Sequence, residues 1–533
     1  MSAPAGAATA QADRRPGVNP WLVAVVVTSA AFMEILDTTI VNVALPHIAG
    51  SLSASSDQAT WCITSYLVAN GIVLPVSGWL SSIFGRKRYF LGCILGFTVC
   101  SFLCGLATSL PELIIFRVMQ GICGGGLQPS QQAIILDTFP PEKRGQAFSL
   151  TAVATVVAPV LGPTLGGWIT DTYSWRWIFL INVPVGLLAW FLVNLLVREK
   201  PQEGARDRGQ MLRIDYIGIG LIALGFGCLQ VMMDKGEDYD WFASDFIRIF
   251  AVLAALGLGG AVIWLLNTKN PVVDLRVFAN RNFAMGNLMI FIFAGLLYCS
   301  AVLIPQLVQL QFGYTALLSG LVISPGAVIT IIALPIVGML MNRVSARTLM
   351  MVGFAWLSVS FFYSSLLTPQ IDYDTLVLMR VAQSVGIALL FAPISTSATG
   401  TLRPEQNVAG ASLFTMSRNV GGSIGISLAT ATVANRTLVH QAYLSQHLSA
   451  LSQPFADLLA RGTATLESLG RGAADAQSQA TGLIYRTLLA QASVMGYADV
   501  YVYCGIAAAL VVPLGFLVKP VVKKKGATAG AGH

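Results

Sequence analysis

Apolar stretches of roughly twenty residues recur along the chain, separated by short polar joints, and within each stretch the apolar residues run on continuously. A membrane-crossing helix needs about 20 such residues. Barrel strands, by contrast, alternate apolar and polar positions with period two. The pattern predicts fourteen spans, near 21–44, 57–80, 88–108, 111–134, 146–170, 176–197, 214–234, 246–267, 283–310, 316–342, 347–367, 373–398, 406–436 and 498–520. The fold class expected is therefore an all-α polytopic membrane protein. Residues 1–20 are Ala-rich and polar, without an apolar core, so the first stretch is read as a retained anchor and not as a cleaved signal.

The pattern also repeats. LPVSGWLSSIFGRK at 74–87 aligns with LPIVGMLMNRVSAR at 334–347, and Lys87 meets Arg347. At an offset of 263 residues, Arg117 and Gln120 meet Arg380 and Gln383, Pro141-Glu142 meets Pro404-Glu405, Ser149-Leu150 meets Ser412-Leu413, and Gly162 meets Gly425. Chance matching in an apolar chain does not readily repeat Arg and Pro-Glu at one offset. Two related six-helix bundles explain the repeat, with the spans at 214–234 and 246–267 inserted between them. The expected organisation is a tail over 1–20, a bundle over 21–200, a linker with two inserted helices over 201–270, a second bundle over 271–520, and a tail over 521–533. Parallel repeats of this kind place a substrate site near the midplane, between the halves.

Composition agrees with the pattern. Charged residues are 11% and apolar residues 55%, against about 25% charged in a soluble domain; mean hydropathy is +0.70. These values exclude a soluble or disordered chain. The net charge of +7 reads as Lys and Arg in cytoplasmic loops and not as a nucleic-acid surface. Clusters at 86–88, 143–144, 198–213, 269–281, 343–347, 403 and 519–525 fall on one side, whereas Asp234, Glu237, Asp238, Asp240 and Asp245 mark the other. Both termini are thus expected inside. The eight cysteines are scattered through apolar stretches without CxxC spacing and read as small core residues, not as disulfides or metal ligands.

One connection is long. Residues 437–497 precede the last span on the external side, and Leu444, Leu448, Leu451, Phe455, Leu458 and Leu459 recur at helical spacing. An amphipathic helix or helical pair is expected, with a flexible linker as the alternative.

Two acidic residues, Glu34 and Asp37, fall in the middle of the first span. A charge there costs about 2.5–3.5 kcal/mol on insertion scales, so such residues face a bundle interior or a water path. Their i, i+3 spacing puts them on one helix face. Burial and a like neighbour both favour the protonated carboxyl, the property a proton-coupled carrier needs. The alternative is a structural carboxylate bonded to Arg or Asn. Arg117 lies inside the fourth span; it keeps its charge, so it tunes a carboxyl or anchors helices. Asn42, Tyr66, Asn70, Gln128, Tyr298, Gln306, Gln309, Arg380, Arg418 and Asn419 are further polar or aromatic residues within spans. They are cavity candidates, with interhelical hydrogen bonding as the alternative for each. His47, His440 and His447 receive no role. The chain has no GxxxxGK[ST], nucleophile elbow or HExxH sequence, so neither ATP drive nor hydrolytic chemistry is expected.

Several segments resemble one family. LDTTIVNVALP at 36–46 looks like the first-helix motif of fourteen-span drug:proton antiporters. GWLSSIFGRKR at 78–88 and RVMQG at 117–121 resemble the loop and fourth-helix motifs of the major facilitator superfamily. APVLGPTLGGWI at 158–169 resembles the antiporter motif of the fifth helix. WRWIFLINVPVG at 175–186 and NPVVDLRVF at 270–278 resemble the EmrB/QacA branch, with its EmrB-like and FarB-like pumps. The resemblance covers essentially the whole chain. It implies a major facilitator fold, Asp37 as the protonated group, Arg117 as its proton-transfer partner, and Gly162, Pro163, Gly166 and Gly167 as an element that limits leakage and favours exchange. Glu34 lies outside the motif core and is left to bind cationic substrate or share the proton. Gly78, Gly85, Arg86 and Lys87 form the gating loop. That loop departs from the family pattern, with Ser82 at the usual Asp and Ile83 at a basic position, so closure there is expected to rest on other contacts.

The function implied is proton-driven efflux of hydrophobic or amphipathic compounds across a bacterial inner membrane, with the proton gradient and no cofactor or metal as the drive. The family also implies partners, an EmrA-like periplasmic adaptor and a TolC-like outer-membrane channel, with 437–497 as the candidate contact. Two alternatives remain at this level: a dedicated exporter of one metabolite or fatty acid, and a facilitator without proton coupling.

Overall fold

The computed structural model describes residues 19–140, 143–197, 215–269, 271–341, 343–403, 406–446, 448 and 453–519. The expected tails, the basic stretch 198–213, both Pro-Glu pairs, Leu451 and His447 lie outside these residues, wholly or in part. The described residues form helices and short connections, without strands.

The amino-terminal half comprises α1 (Pro20–Ser51), α2 (Ser56–Phe84), α3 (Arg86–Leu106), α4 (Leu110–Gly124), α5 (Leu127–Thr138), α6 (Arg144–Thr172), α7 (Trp177–Leu180) and α8 (Asn182–Leu196). The inserted pair is α9 (Tyr216–Lys235) and α10 (Asp245–Asn267). The second half holds α11 (Arg281–Leu310), α12 (Ala316–Leu340), α13 (Ala346–Ser364), α14 (Tyr373–Ala388), α15 (Phe391–Thr399), α16 (Asn407–Ser445), α17 (Gln453–Ser468) and α18 (Ala473–Val511).

Local chemistry sets the helix ends. The Asn19 side chain accepts from the Trp21 amide ahead of Pro20, and Ser55 and Gln58 form a reciprocal capping box at the start of α2. The Thr315 and Ser345 hydroxyls accept from the Leu318 and Thr348 amides and so cap α12 and α13. The sharp turn from α2 to α3 is made by Gly85 at φ +84°, a conformation open to glycine.

Among the described residues, twelve helical stretches are long and apolar enough to cross a membrane, and thirteen if the bent α6 is one span. The remaining expected span, 406–436, coincides with α16, which has the length but is interrupted by Arg418, Asn419 and a Gly/Ser run. The last two long helices both overrun their expected spans. Each is 39 residues, about 58 Å at 1.5 Å per residue, against a hydrocarbon core of about 30 Å. Much of 437–497 is therefore a stalk in which α16 and α18 continue past the bilayer thickness and α17 packs on α18. Asp499 ties the stalk together, accepting from Arg436 at 2.5 Å and lying 2.8 Å from His440.

Glycines let the helices touch. A Cβ on Gly162 or Gly166 of α6 would meet Thr39 or Ile40 of α1 at 2.1 and 2.8 Å. The repeat reproduces this contact: on Gly421 or Gly425 of α16 it would meet Phe291 or Gly295 of α11 at 2.2 and 2.4 Å. The antiporter-like motif is thus the seam on which α1 rests. Gly167 is buried beside it, and the side chain of Pro163 lies outside the described residues. All eight cysteines are free, and all but Cys123 are buried.

The halves meet along α6 and α12 and along α2 and α16. At the end carrying Gly85, Ser77 and Ser412 hydroxyls lie 3.1 Å apart. The inserted α9 bridges both halves. Asp234 and Lys235 bond Thr64 and Thr60 of α2, and Ser427 of α16 donates to the Met233 carbonyl at 2.7 Å.

Overpacking a tight helix seam costs about 1–3 kcal/mol. Gly425→Ala is accordingly expected to lower the thermal unfolding temperature of the purified protein. Gly220→Ala, where nothing lies within 4 Å of the added carbon, should leave it unchanged or raise it slightly.

Candidate functional site at the interface of the two halves

Clasped by α6, α1 turns Glu34 and Asp37 into the amino-terminal half, and both are buried. Asp37 lies against α4 and α8. Its Oδ2 accepts from Arg117 Nη1 at 2.6 Å, and its Oδ1 from Asn182 Nδ2 at 2.8 Å and Gln120 Nε2 at 3.1 Å. Arg117 is fixed in turn. Its Nε donates to the Cys62 carbonyl at 3.0 Å and its Nη1 to Gln120 Oε1 at 2.8 Å. The Tyr66 ring covers its guanidinium, with the ring centroid 4.2 Å away. Asn182 also donates to Ser101 at 3.1 Å. Neither Asp37 nor Arg117 has any exposed side-chain surface. A buried carboxylate is tolerable when its lone pairs and charge are met in this way.

Glu34 has a different setting. Tyr66 Oη at 3.2 Å and Asn70 Nδ2 at 3.0 Å donate to Oε1, and Gln128 Nε2 donates to Oε2. All three donors are neutral. Tyr66 links the two carboxyls, with its hydroxyl on Glu34 and its ring on Arg117. Across the interface, Arg418 and Tyr298 of the second half are close enough to act on Glu34 by charge. Arg418 is itself buried and reaches into the first half, where Nη1 donates to Thr155 at 3.3 Å; its Nη2 donates to its neighbour Asn419 at 3.2 Å.

The other sequence-selected residues fall elsewhere. Arg380 sits in a buried cluster of the second half, bonded to Ser300 and, at 3.5 Å, to Gln383 Oε1; Gln383 donates to Ser364 at 2.8 Å. Asn42 is exposed on α1, and Tyr298, Gln306 and Asn419 are half-buried. Gln309 is exposed and donates to Ser319 at 3.1 Å. In the loop, Arg86 pairs with Asp137 of α5, and Lys87 donates to the Asn194 carbonyl at 2.7 Å. These two cations are thus tied inside their own half, while the contacts across the halves at that end include the Ser77–Ser412 pair.

Sequence reasoning passed over Gln120, Asn182, Ser101 and Thr155. A signal existed for part of this set. The 263-residue offset that matches Arg117 and Gln120 to Arg380 and Gln383 also matches Asp37 to Ser300 and Ser101 to Ser364. The second half therefore repeats the polar cluster with a hydroxyl in place of the carboxylate.

Comparison with known proteins agrees with this architecture. The family model described as Major Facilitator Superfamily matches residues 27–426. The multidrug export protein EmrB of Escherichia coli K12 is 36% identical over 486 residues, 91% of this chain and 92% of that protein. The fatty acid resistance protein FarB of Neisseria gonorrhoeae is 34% identical over 496 residues, 92% of this chain and 94% of that protein. Among solved structures, the human organic anion transporter MFSD10 aligns with a TM-score of 0.55 at 14% identity, covering 92% of this chain and 99% of that one, a likeness of fold.

Removing one member of a buried ion pair costs about 3–5 kcal/mol, whereas replacing both costs far less. Asp37→Asn is expected to lower the unfolding temperature of the detergent-solubilised protein more than the double change Asp37→Asn with Arg117→Gln.

Proposed function

The chain belongs to the major facilitator superfamily and is a multi-pass inner-membrane protein, and from that premise we propose that it is a proton-driven multidrug exporter. The fold is that of a transporter and not of an enzyme. The observation that carries the reading is the pair of buried carboxyls on one face of α1, one neutralised by Arg117 and one facing Arg418 across the interface between the halves. Buried acids at the midplane of two repeats are costly unless ions or substrates pass there. Relatives named for multidrug export and fatty acid resistance support a hydrophobic or amphipathic cargo.

In this reading the basic loops face the cytoplasm, α16 crosses the membrane and brings the number of spans to fourteen, and cargo occupies the interface. Proton uptake at the carboxyl pair from the external side releases the cargo and returns the empty carrier. One charge moving down 100 mV supplies about 2.3 kcal/mol, enough for roughly a fifty-fold concentration ratio. The stalk of α16, α17 and α18 would receive an EmrA-like adaptor leading to a TolC-like outer-membrane channel.

Two measurements test the proposal. Purified protein in liposomes, with a trapped pH dye and an imposed pH gradient, is challenged in turn with hydrophobic cations, weak-acid uncouplers and fatty acids. Cargo-triggered proton movement is expected, and it should vanish when Glu34→Gln and Asp37→Asn are combined. Cargo flux without proton movement would make the protein a facilitator. Replacing Gln453–Ser468 by a Gly/Ser linker should abolish co-purification of the adaptor while liposome transport persists; retained co-purification would remove the stalk from the docking role.

A further inference from the structure

The two carboxyls of α1 are equally buried but not equally free to change protonation. Both oxygens of Asp37 are held by donors that do not reverse in place. Arg117 has no acceptor, and the Asn182 and Gln120 amides are each held at a second point, Asn182 on Ser101 and Gln120 on Arg117. Protonating Asp37 would strip Arg117 of its counter-charge in a dry site. Among the described residues no cation lies within hydrogen-bonding distance of Glu34, and its ligands suit both states. The Tyr66 hydroxyl donates or accepts by rotation. Gln128 keeps a buried Oε1 without a partner among the described residues, so rotation of its amide turns a donor for the carboxylate into an acceptor for the acid.

The charged and titratable groups facing Glu34 come from several elements: Tyr66 from α2, Tyr298 from α11 and Arg418 from α16, with Gln128 from α5 as a neutral neighbour. The next acid on α1, Asp37, is committed to Arg117 of α4. Arg418 is the only one of these groups with a permanent charge, and its hydrogen bonds go to neutral oxygens of Thr155 and Asn419.

Building on the antiport reading above, we propose that Glu34, and not Asp37, is the carboxyl whose proton is exchanged, and that Arg418 of the opposite half is the counter-charge of its ionised form. One proton from external water converts the carboxylate to the acid. The attraction between Glu34 and Arg418 then disappears, and with it one force holding α1 and α16 together across the interface. Release of that proton to cytoplasmic water restores the attraction. Asp37–Arg117 remains an ion pair throughout and keeps Tyr66 in position.

The test is an infrared pH titration of the full-length protein in nanodiscs, without cargo, following the C=O stretch of protonated carboxyl groups. The band that appears on acidification is expected to lose its Glu34 component in Glu34→Gln and to keep it in Asp37→Asn. If Asp37→Asn does not fold, the double variant with Arg117→Gln replaces it. Arg418→Gln should move the midpoint of that component upward by about one pH unit, the scale set by a lost opposite charge nearby. Arg418→Lys should hold it near the unsubstituted position. Loss of the component in the Asp37 variant with retention in Glu34→Gln would overturn the proposal while leaving proton antiport intact. An unmoved midpoint in Arg418→Gln would overturn the role given to Arg418. Liposome flux that survives combined neutralisation of Glu34 and Asp37 would instead overturn the antiport reading itself.

Discussion

The Asp37–Arg117 ion pair constrains much of what surrounds it. Two opposite charges sealed from water demand that nearly every remaining donor and acceptor be met, and that demand recruits Gln120 from α4, Asn182 and Ser101 from α8 and α3, and the Cys62 carbonyl from α2. Five helices are thereby tied at one point inside the first half. The glycine seam on α6 serves the same end, because α1 carries Asp37 to Arg117 only while its backbone lies against Gly162 and Gly166. Tyr66 extends the arrangement outward. Its ring depends on the guanidinium and its hydroxyl reaches Glu34, so the fixed pair positions the ligand of the second acid.

The second half carries the same scaffold with the charge removed. Ser300, Arg380, Gln383 and Ser364 stand where Asp37, Arg117, Gln120 and Ser101 stand, and Gly421 and Gly425 repeat the helix seam. At the interface the difference runs the other way, with Thr155 of the first half matched at the same offset by Arg418 of the second. The duplicated fold thus places buried acids in one half and a buried arginine in the other, with Arg418 reaching across the interface to Thr155.

Much of the fold was legible in the sequence because a bilayer leaves few choices. Continuous apolar runs specify helices, and the repeat at 263 specifies paired bundles. The stalk was harder to read. Hydropathy marks where a helix leaves the apolar layer, not where it stops, and α16 and α18 run on as polar helices. Within the site, Glu34, Asp37 and Arg117 announced themselves by the cost of placing charge in a span. Asn182, Gln120 and Thr155 did not, since an amide or hydroxyl in a membrane helix is common and only three-dimensional proximity gives it a partner. The loop motif shows the same limit: Arg86 and Lys87 were recognisable, but their partners Asp137 and Asn194 lie far away in sequence.

The central claim is that cargo and protons exclude one another at this interface. Titration calorimetry on the detergent-solubilised protein tests it most directly, using a cargo that drives flux in liposomes and a series of buffers with different ionisation enthalpies. The account predicts a binding enthalpy that varies linearly with buffer ionisation enthalpy, with the sign of proton release on cargo binding. A slope of zero, or one with the sign of proton uptake, would contradict it.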